Sequence, residues 1–201
     1  KIFSQNVPHV QFNHNVSIPN SETPSSQRAR SIVFLAYGIL IATCLKRYEG
    51  TETVTLYMCE NGYISLNPPL TGMRIGSLST RTTHPIFLKL FQELVYNAGL
   101  NVHIENPYQF LTKGQMLINC LNQSLLKQHA HKSTSCGRYK RHGHNHCGRC
   151  VPCLVRRAAF KAWGVTDQTN YIYDDLSIDS PNYSQYDDVK SIAIAVKELE
   201  N

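Results

Sequence analysis

Apolar residues recur at three- and four-residue spacing through Ile32, Leu35, Ala36, Ile39, Leu40 and Thr43, the period of a helix face. With Ser25 and Ser26 as N-cap oxygens, the pattern predicts a largely buried helix from about Ser26 to Arg47, and Gly50 ends the turn that follows. Val54 to Cys59 (VTLYMC) is a continuous apolar, β-branched and aromatic run of strand length. Apolar on both faces, it suits a parallel strand covered by helices. Glu60-Asn61-Gly62 follows at the strand's carboxyl end, the edge at which open α/β sheets bind ligands. From there to Thr83 the chain reads as loop.

His84-Pro85 opens a second helix, Pro85 to Asn97, with Phe87, Leu90, Phe91, Leu94 and Val95 on one face and Gly99 as its stop. Asn101 to Ile104 reads as a second strand, and Thr112 as the N-cap of a third helix from Lys113 to Leu126. Helix, strand, helix, strand, helix is the alternation of a doubly wound α/β sheet. Residues 1 to 24 are polar and hold Pro8, Pro19 and Pro24; they read as loop with a short strand at His9 to Phe12. Beyond Cys153, LVRRAAFKAWGV reads as a helix capped by Gly164, and Val189 to Leu199 as a terminal helix.

At 201 residues and 22.8 kDa, with 42% hydrophobic and 17% charged residues, the composition is that of a globular chain and not a disordered one. The longest apolar run, Ser31 to Leu45, is interrupted by Ser, Gly and Thr and falls short of the roughly 20 residues that cross a bilayer. No membrane role is expected, and a cytoplasmic location is. The chain starts at Lys1 and shows no charged-then-apolar leader, so its start is read as an internal point of a longer chain.

The net charge of +6 is unevenly spread. No acidic residue occurs from Asn106 through Thr166, where Lys113, Lys127, Lys132, Arg138, Lys140, Arg141, Arg149, Arg156, Arg157 and Lys161 accumulate. Such a field suits an anionic ligand; a solvated or packing face is the plainer alternative. Eight of the 14 acids then lie from Asp167 onward. This acidic tail carries Asp174, Asp175, Asp179, Asp187 and Asp188 among Tyr171, Tyr173, Tyr183 and Tyr186, and would dock on the basic patch or on a partner.

Of seven cysteines, Cys44, Cys59 and Cys120 sit in apolar elements, the usual setting of a buried thiol. Cys136, Cys147, Cys150 and Cys153 instead form C-x10-C-x2-C-x2-C, a spacing that lets four thiolates close a tetrahedral shell around one metal ion. Zinc suits four sulfurs best. Disulfides and an iron–sulfur cluster are the alternatives, and His142, His144 or His146 could replace one sulfur, though they read as surface residues of the ten-residue excursion. A closed site leaves no position for substrate, so the metal is expected to be structural.

Cys147-Gly148-Arg149-Cys150-Val151-Pro152-Cys153-Leu154-Val155-Arg156-Arg157-Ala158-Ala159-Phe160, followed by Gly164-Val165 and Asp167, resembles the C-G-x-C-x-x-C-x-x-R-x-x-x-F and G-V-x-D ending of the 7-cyano-7-deazaguanine synthases, the QueC family. Arg30 to Leu35 is similar to its R-N-L-x-F-L helix start, and Leu111 to Met116 to its L-T-K-x-E-x-[IV] segment. The resemblance runs from about Arg30 to Asp167. It implies a Rossmann-like parallel sheet of the adenine nucleotide α-hydrolase (ATP-pyrophosphatase) type with a zinc-binding segment appended, the four cysteines holding structural Zn²⁺. It also implies ATP and Mg²⁺, and activation of the carboxylate of 7-carboxy-7-deazaguanine on the way to an amide and a nitrile.

Two family segments are missing from these 201 residues. The Ser-Gly-Gly-x-Asp-Ser phosphate loop is absent and is expected upstream of Lys1. The Asp-Tyr-Ser-Gly-Tyr-Pro-Asp-Cys substrate segment is replaced by Cys59 to Asn67 and Gly76 to Pro85. That replacement resembles the divergent QueC-like proteins of bacterial anti-phage operons, QatC of the Qat system among them, in which the activated acid would pass to a protein partner from the same operon.

On this reading Arg30 and Lys113, each opening a helix, bind nucleotide phosphates, while Glu60, Asn61, Gly62 and Arg81 contact the deazaguanine-type substrate. Ordinary surface cations and a plain Asn-Gly turn are the alternatives. Arg81, Thr82, Thr83 and His84 offer an anion site, or a threonine that caps the next helix. The division expected is 1–127 nucleotide-binding α/β, 128–167 zinc-binding, and 168–201 acidic tail. The rival function is a non-catalytic, zinc-stapled basic module gripping nucleic acid or a protein; nucleic acid is disfavoured because Tyr139 is the only aromatic residue in the zinc loop.

Overall fold

The computed structural model describes residues 11, 30–49, 52–66, 83–178 and 188–199. Helix α1 (Arg30–Thr43) follows the apolar period, and a short α2 (Lys46–Glu49) succeeds it. Before Arg30 residue 11 alone is described, so the expected strand at His9 to Phe12 and the Ser25 and Ser26 caps fall on residues outside the described ones. Strand β1 (Val54–Tyr57) pairs in parallel with β2 (Val102–Glu105), with Val54 opposite Val102 and Tyr57 opposite Glu105. Among the described residues the sheet has these two strands, the parallel α/β kernel of the expected sheet.

Between the strands lie α3 (Gly62–Leu66), in a region read from sequence as loop, and α4 (Pro85–Asn97). Asn61 starts α3 by accepting the Ile64 N–H at 3.1 Å, and Ser65 ties it to the start of α4 by donating to the Thr83 carbonyl at 2.6 Å. The α4 cap is neither Thr82 nor Thr83: the His84 ring accepts the Ile86 N–H at 3.3 Å, and Pro85 follows where no donor is needed.

The main core joins Ile39 and Ala42 of α1, Val54, Val102 and Ile104 of the sheet, and Val95 of α4. Gly38 brings α1 onto β1, since a Cβ there would stand 2.9 Å from the Leu56 side chain. Leu90 and Leu94 are not part of this core; they stay exposed on α4. Gln92 of α4 seals one side of the sheet, donating to the Val102 carbonyl at 2.9 Å and accepting the Ile104 N–H at 2.6 Å. Those are the β2 groups that point away from β1, so the outer edge of β2 is taken by a side chain.

The expected helix from Lys113 to Leu126 is two helices, α5 (Lys113–Ile118) and α6 (Gln123–His129). Thr112 and Gln115 form a reciprocal capping box at the start of α5. The break is made by polar side chains: Asn122 caps α6 through the Leu125 N–H, and Gln123 Nε2 donates to the carbonyls of Leu117, Ile118 and Cys120. These are the acceptors a helix end leaves open. Helix α7 (Val151–Trp163) begins three residues earlier than the sequence suggested and ends on Gly164 in the left-handed region, and α8 (Val189–Leu199) matches its expected span.

Candidate functional site

The four cysteines converge. Their sulfurs all lie within 4.8 Å of one another and all four residues are buried. Cys147 Sγ is 4.0 Å from Cys153 Sγ, and Cys150 Sγ is 3.9 Å from Cys136 Sγ. A disulfide needs about 2.05 Å, whereas four sulfurs each about 2.3 Å from one zinc ion stand about 3.8 Å apart. The spacing is that of a tetrahedral thiolate shell. Backbone N–H groups of Arg138 and Cys147 point at Cys136 Sγ, and that of Cys150 at Cys147 Sγ, each at 3.4 Å.

Without a cation such a cluster cannot ionise fully. Hydrogen bonds from Cys150 and Cys153 hold the Cys147 thiol far below its ordinary range. In return Cys150 is pushed up to about 11 by its bond to Cys147, and Cys153 is pushed up as well. A divalent cation removes this conflict by neutralising the thiolates together. A buried, closed, all-sulfur set fits zinc.

The chain around the cluster is fitted to it. Gly148 has a φ of +89°, and a Cβ there would come 2.4 Å from the Tyr173 carbonyl oxygen, so only glycine turns the knuckle under the tail. The tail lies on the knuckle as a strap: Ile172 N–H donates to the His146 carbonyl at 3.0 Å and Tyr173 N–H to the Cys147 carbonyl at 3.1 Å. Asp188, at the foot of α8, accepts the Val151 N–H at 2.8 Å and so caps α7, where Cys150 supplies no side-chain cap.

The histidines divide. His144 is exposed and His142 half-buried, but His146 is buried, contrary to its reading as a surface residue. Its Nε2 accepts the Ser135 N–H, and its ring lies edge-on to Tyr139 and Tyr171. Burial and then the nearby Arg156 charge lower its pKa. Among the described residues no histidine joins the sulfur cluster. Cys44 and Cys59 are exposed and Cys120 half-buried, so none of the three is the buried thiol its apolar setting suggested.

Three cations of the basic run face inward. Arg156 is buried and donates to Ser133 O and Oγ, Ala130 O and Thr169 Oγ1 at 2.8 to 3.1 Å. Arg157 lies 3.9 Å over the Tyr171 ring and pairs with Asp174 at 3.1 Å. Arg149 donates to the Asp175 carbonyl. The acidic tail therefore docks on α7. Sequence reasoning placed these arginines in a ligand field, and missed Asp167, Tyr171 and Asp188 as supports of the knuckle. The Arg three residues after the last Cys was the one visible signal.

At the carboxyl edge of the sheet, Glu60 and Lys113 come within electrostatic reach, and the Glu60 charge supports the ammonium. Burial, and secondarily Arg156, nevertheless hold the Lys113 pKa below its ordinary value. Gly62 packs against the loop after β2: its N–H donates to Leu111 O at 2.9 Å, and a Cβ would meet Gln109 O at 2.6 Å. Asn61 is buried in its capping role. Arg30 opens α1, and Arg81 lies outside the described residues.

A parallel α/β kernel with a four-thiolate centre is thus the class that fold and site define. Within it, the family model for "Queuosine biosynthesis protein QueC" matches residues 82–164, a span holding Lys113, all four cysteines and Arg156. Two curated relatives, the 7-cyano-7-deazaguanine synthases of Leptospira interrogans serovars copenhageni and Lai, are each 26% identical over 157 residues, covering 75% of this chain and 54% of the relative. The chain therefore spans about half the length of these relatives, and over the matched region it is QueC-like. No solved structure matches it.

Proposed function

We propose that this chain is part of an ATP-dependent adenylating enzyme acting on the carboxylate of a 7-deazaguanine. The observation that carries the reading is the QueC match over residues 82–164, which includes both the four-cysteine centre and the Lys113 helix start. In the proposed reaction a carboxylate oxygen attacks the α-phosphorus of ATP, the bond to the β-phosphate oxygen breaks, and pyrophosphate leaves. Ammonia then adds at the acyl carbon, AMP departs and an amide remains; a second ATP drives its dehydration to the nitrile.

Arg30 and Lys113 are proposed as the cations that meet phosphate charge, with Mg²⁺ as activator, and Glu60, Asn61, Gly62 and Arg81 as the residues on the acid's side. Zinc, held by Cys136, Cys147, Cys150 and Cys153, supplies cross-linking and no reaction step, because four protein sulfurs leave no open position. The replaced segment at Cys59 to Asn67 favours a divergent member whose activated acid passes to a partner protein in bacterial antiviral defence. Among the described residues no helix is long and apolar enough to cross a membrane, and a cytoplasmic setting is proposed.

The test is the full-length protein with ATP, Mg²⁺ and 7-carboxy-7-deazaguanine, with and without proteins encoded beside it, read by mass spectrometry. AMP together with a free nitrile supports the synthase reaction, and AMP together with a mass gain on a partner supports transfer. Absence of AMP under every condition overturns the adenylating reading in favour of a zinc-stapled basic binding module.

A further inference from the structure

Helix α4 packs Leu88, Phe91 and Val95 into the main core, and its opposite face is exposed. Ile86, Leu90 and Leu94 on that face are 65%, 59% and 60% exposed. A single exposed leucine needs no explanation, but three apolar residues on one i±4 row make a ridge of the kind along which helices interlock. Phe87 and Phe91, stacked with ring centroids 6.0 Å apart and half-buried, continue the apolar surface on one side of it. Lys89 and Glu93 follow the other side, both exposed, and among the described residues neither enters an ion pair. Lysine four residues before glutamate is the weaker order for pairing along one helix.

This face is complementary to its own reverse. A two-fold axis at Leu90 that sets a second α4 antiparallel to the first puts Leu90 on its own copy and Ile86 beside the second copy's Leu94. The same axis keeps each flank of the helix on one side, so Lys89 comes within a turn of the second copy's Glu93, and Glu93 within a turn of its Lys89. A parallel arrangement would instead set lysine against lysine and glutamate against glutamate. We propose that the exposed face of α4 binds a second copy of this chain, the two helices antiparallel, with the Ile86–Leu90–Leu94 ridge at the centre and two Lys89–Glu93 pairs at its rim. Both signs of charge, spaced to meet their own reverse, favour a copy of the same helix over a partner of one charge sign. Helix α4 has 13 residues and is about 20 Å long. A contact of that length falls below the roughly 1,200 Å² that stable complexes bury, so the dimer is expected in the micromolar range. The dimer does not depend on the adenylating reading.

The experiment is sedimentation velocity of the full-length protein from about 1 to about 100 μM, a range that brackets a micromolar dimer. Wild type is expected to pass from monomer to dimer. Leu90→Glu, which sets two carboxylates at the two-fold axis, should weaken the dimer at least about tenfold, as loss of a central anchor does, while thermal melting shows the variant folded. Lys89→Glu and Glu93→Lys should each weaken it severalfold, because each sets like charges against each other at the rim. Mixing those two variants should restore association, since every glutamate of one then meets a lysine of the other. A wild type that stays monomeric throughout overturns the proposal, and protection of α4 from hydrogen exchange in that monomer would show that another part of the chain covers the ridge. A dimer that Leu90→Glu leaves intact, or a mixture that associates no better than either charge variant alone, overturns it as well.

Discussion

Tyr171 and Asp167 show how single residues hold the cysteine knuckle in place. The phenol donates to the Asp167 carboxylate at 2.6 Å while its ring carries Arg157 on one face. Burial alone would raise the Asp167 pKa, but hydrogen bonds from Thr169 and Tyr171 outweigh it and hold the carboxyl below its ordinary range. Burial and then the same bond push Tyr171 up. For Asp167 the unfolded chain takes up a proton more readily than the folded one, so its contribution is present above about pH 4 and is lost as pH falls through the folded value. For Tyr171 the contribution is present below about pH 10 and is lost as pH rises through the higher folded value. Tyr171→Phe is expected to cost about 1–2 kcal/mol at neutral pH and to flatten the acid limb of stability, both read by denaturant titration at several pH values. An unchanged acid limb would show that the bond carries none of it. Cys136, Cys147, Cys150 and Cys153 were legible in sequence because ligand spacing is local. Tyr171 and Asp188 were not, because each meets its partner only after the tail has folded back.

At the scale of elements, the contact between α5 and α7 depends on one missing side chain. Gly114 faces Ala162, and a Cβ at Gly114 would stand 2.8 Å from the Ala162 Cβ, closer than two carbons pack. Gly114→Ala is therefore expected to destabilise by about 1–3 kcal/mol, despite alanine's better helix propensity, and Ala162→Gly in the same chain should recover part of the loss. Thermal melts of the single and double variants check this; additive losses would show that the two helices do not meet there. The sequence made α4 and α8 legible to the residue; for α4, His84-Pro85 and Gly99 bracket the apolar period. It hid the break between α5 and α6, since Met116, Leu117, Cys120 and Leu125 continue an apolar period through it. What ends α5 is Gln123, whose amide takes three carbonyls and whose oxygen accepts the Trp163 indole N–H at 2.9 Å. That last contact spans 40 residues, and no local pattern announces it.

Across the whole molecule, two cores are built by different means. One is the apolar cluster of α1, α4, β1 and β2; the other is the cysteine cluster with Tyr139, Tyr171 and Tyr173 packed on it. The first buries aliphatic side chains and gains from the hydrophobic effect. The second buries four sulfurs that could hold a metal ion, and a segment that folds around such an ion draws much of its folding free energy from metal binding. Gln92 closes the outer edge of β2, and the two buried clusters share no residue. Stripping the metal with a chelator should therefore release the knuckle, the strap at Tyr171 to Asp175 and the start of α7, while the sheet persists. Hydrogen exchange read by mass spectrometry separates these outcomes: peptides spanning 136–153 and 171–175 should lose protection, and those spanning Val54–Tyr57 and Val102–Glu105 should keep it. Simultaneous loss in both sets would mean that the α5–α7 contact couples the cores into one cooperative unit, and that the metal stabilises the α/β kernel as well as its own segment.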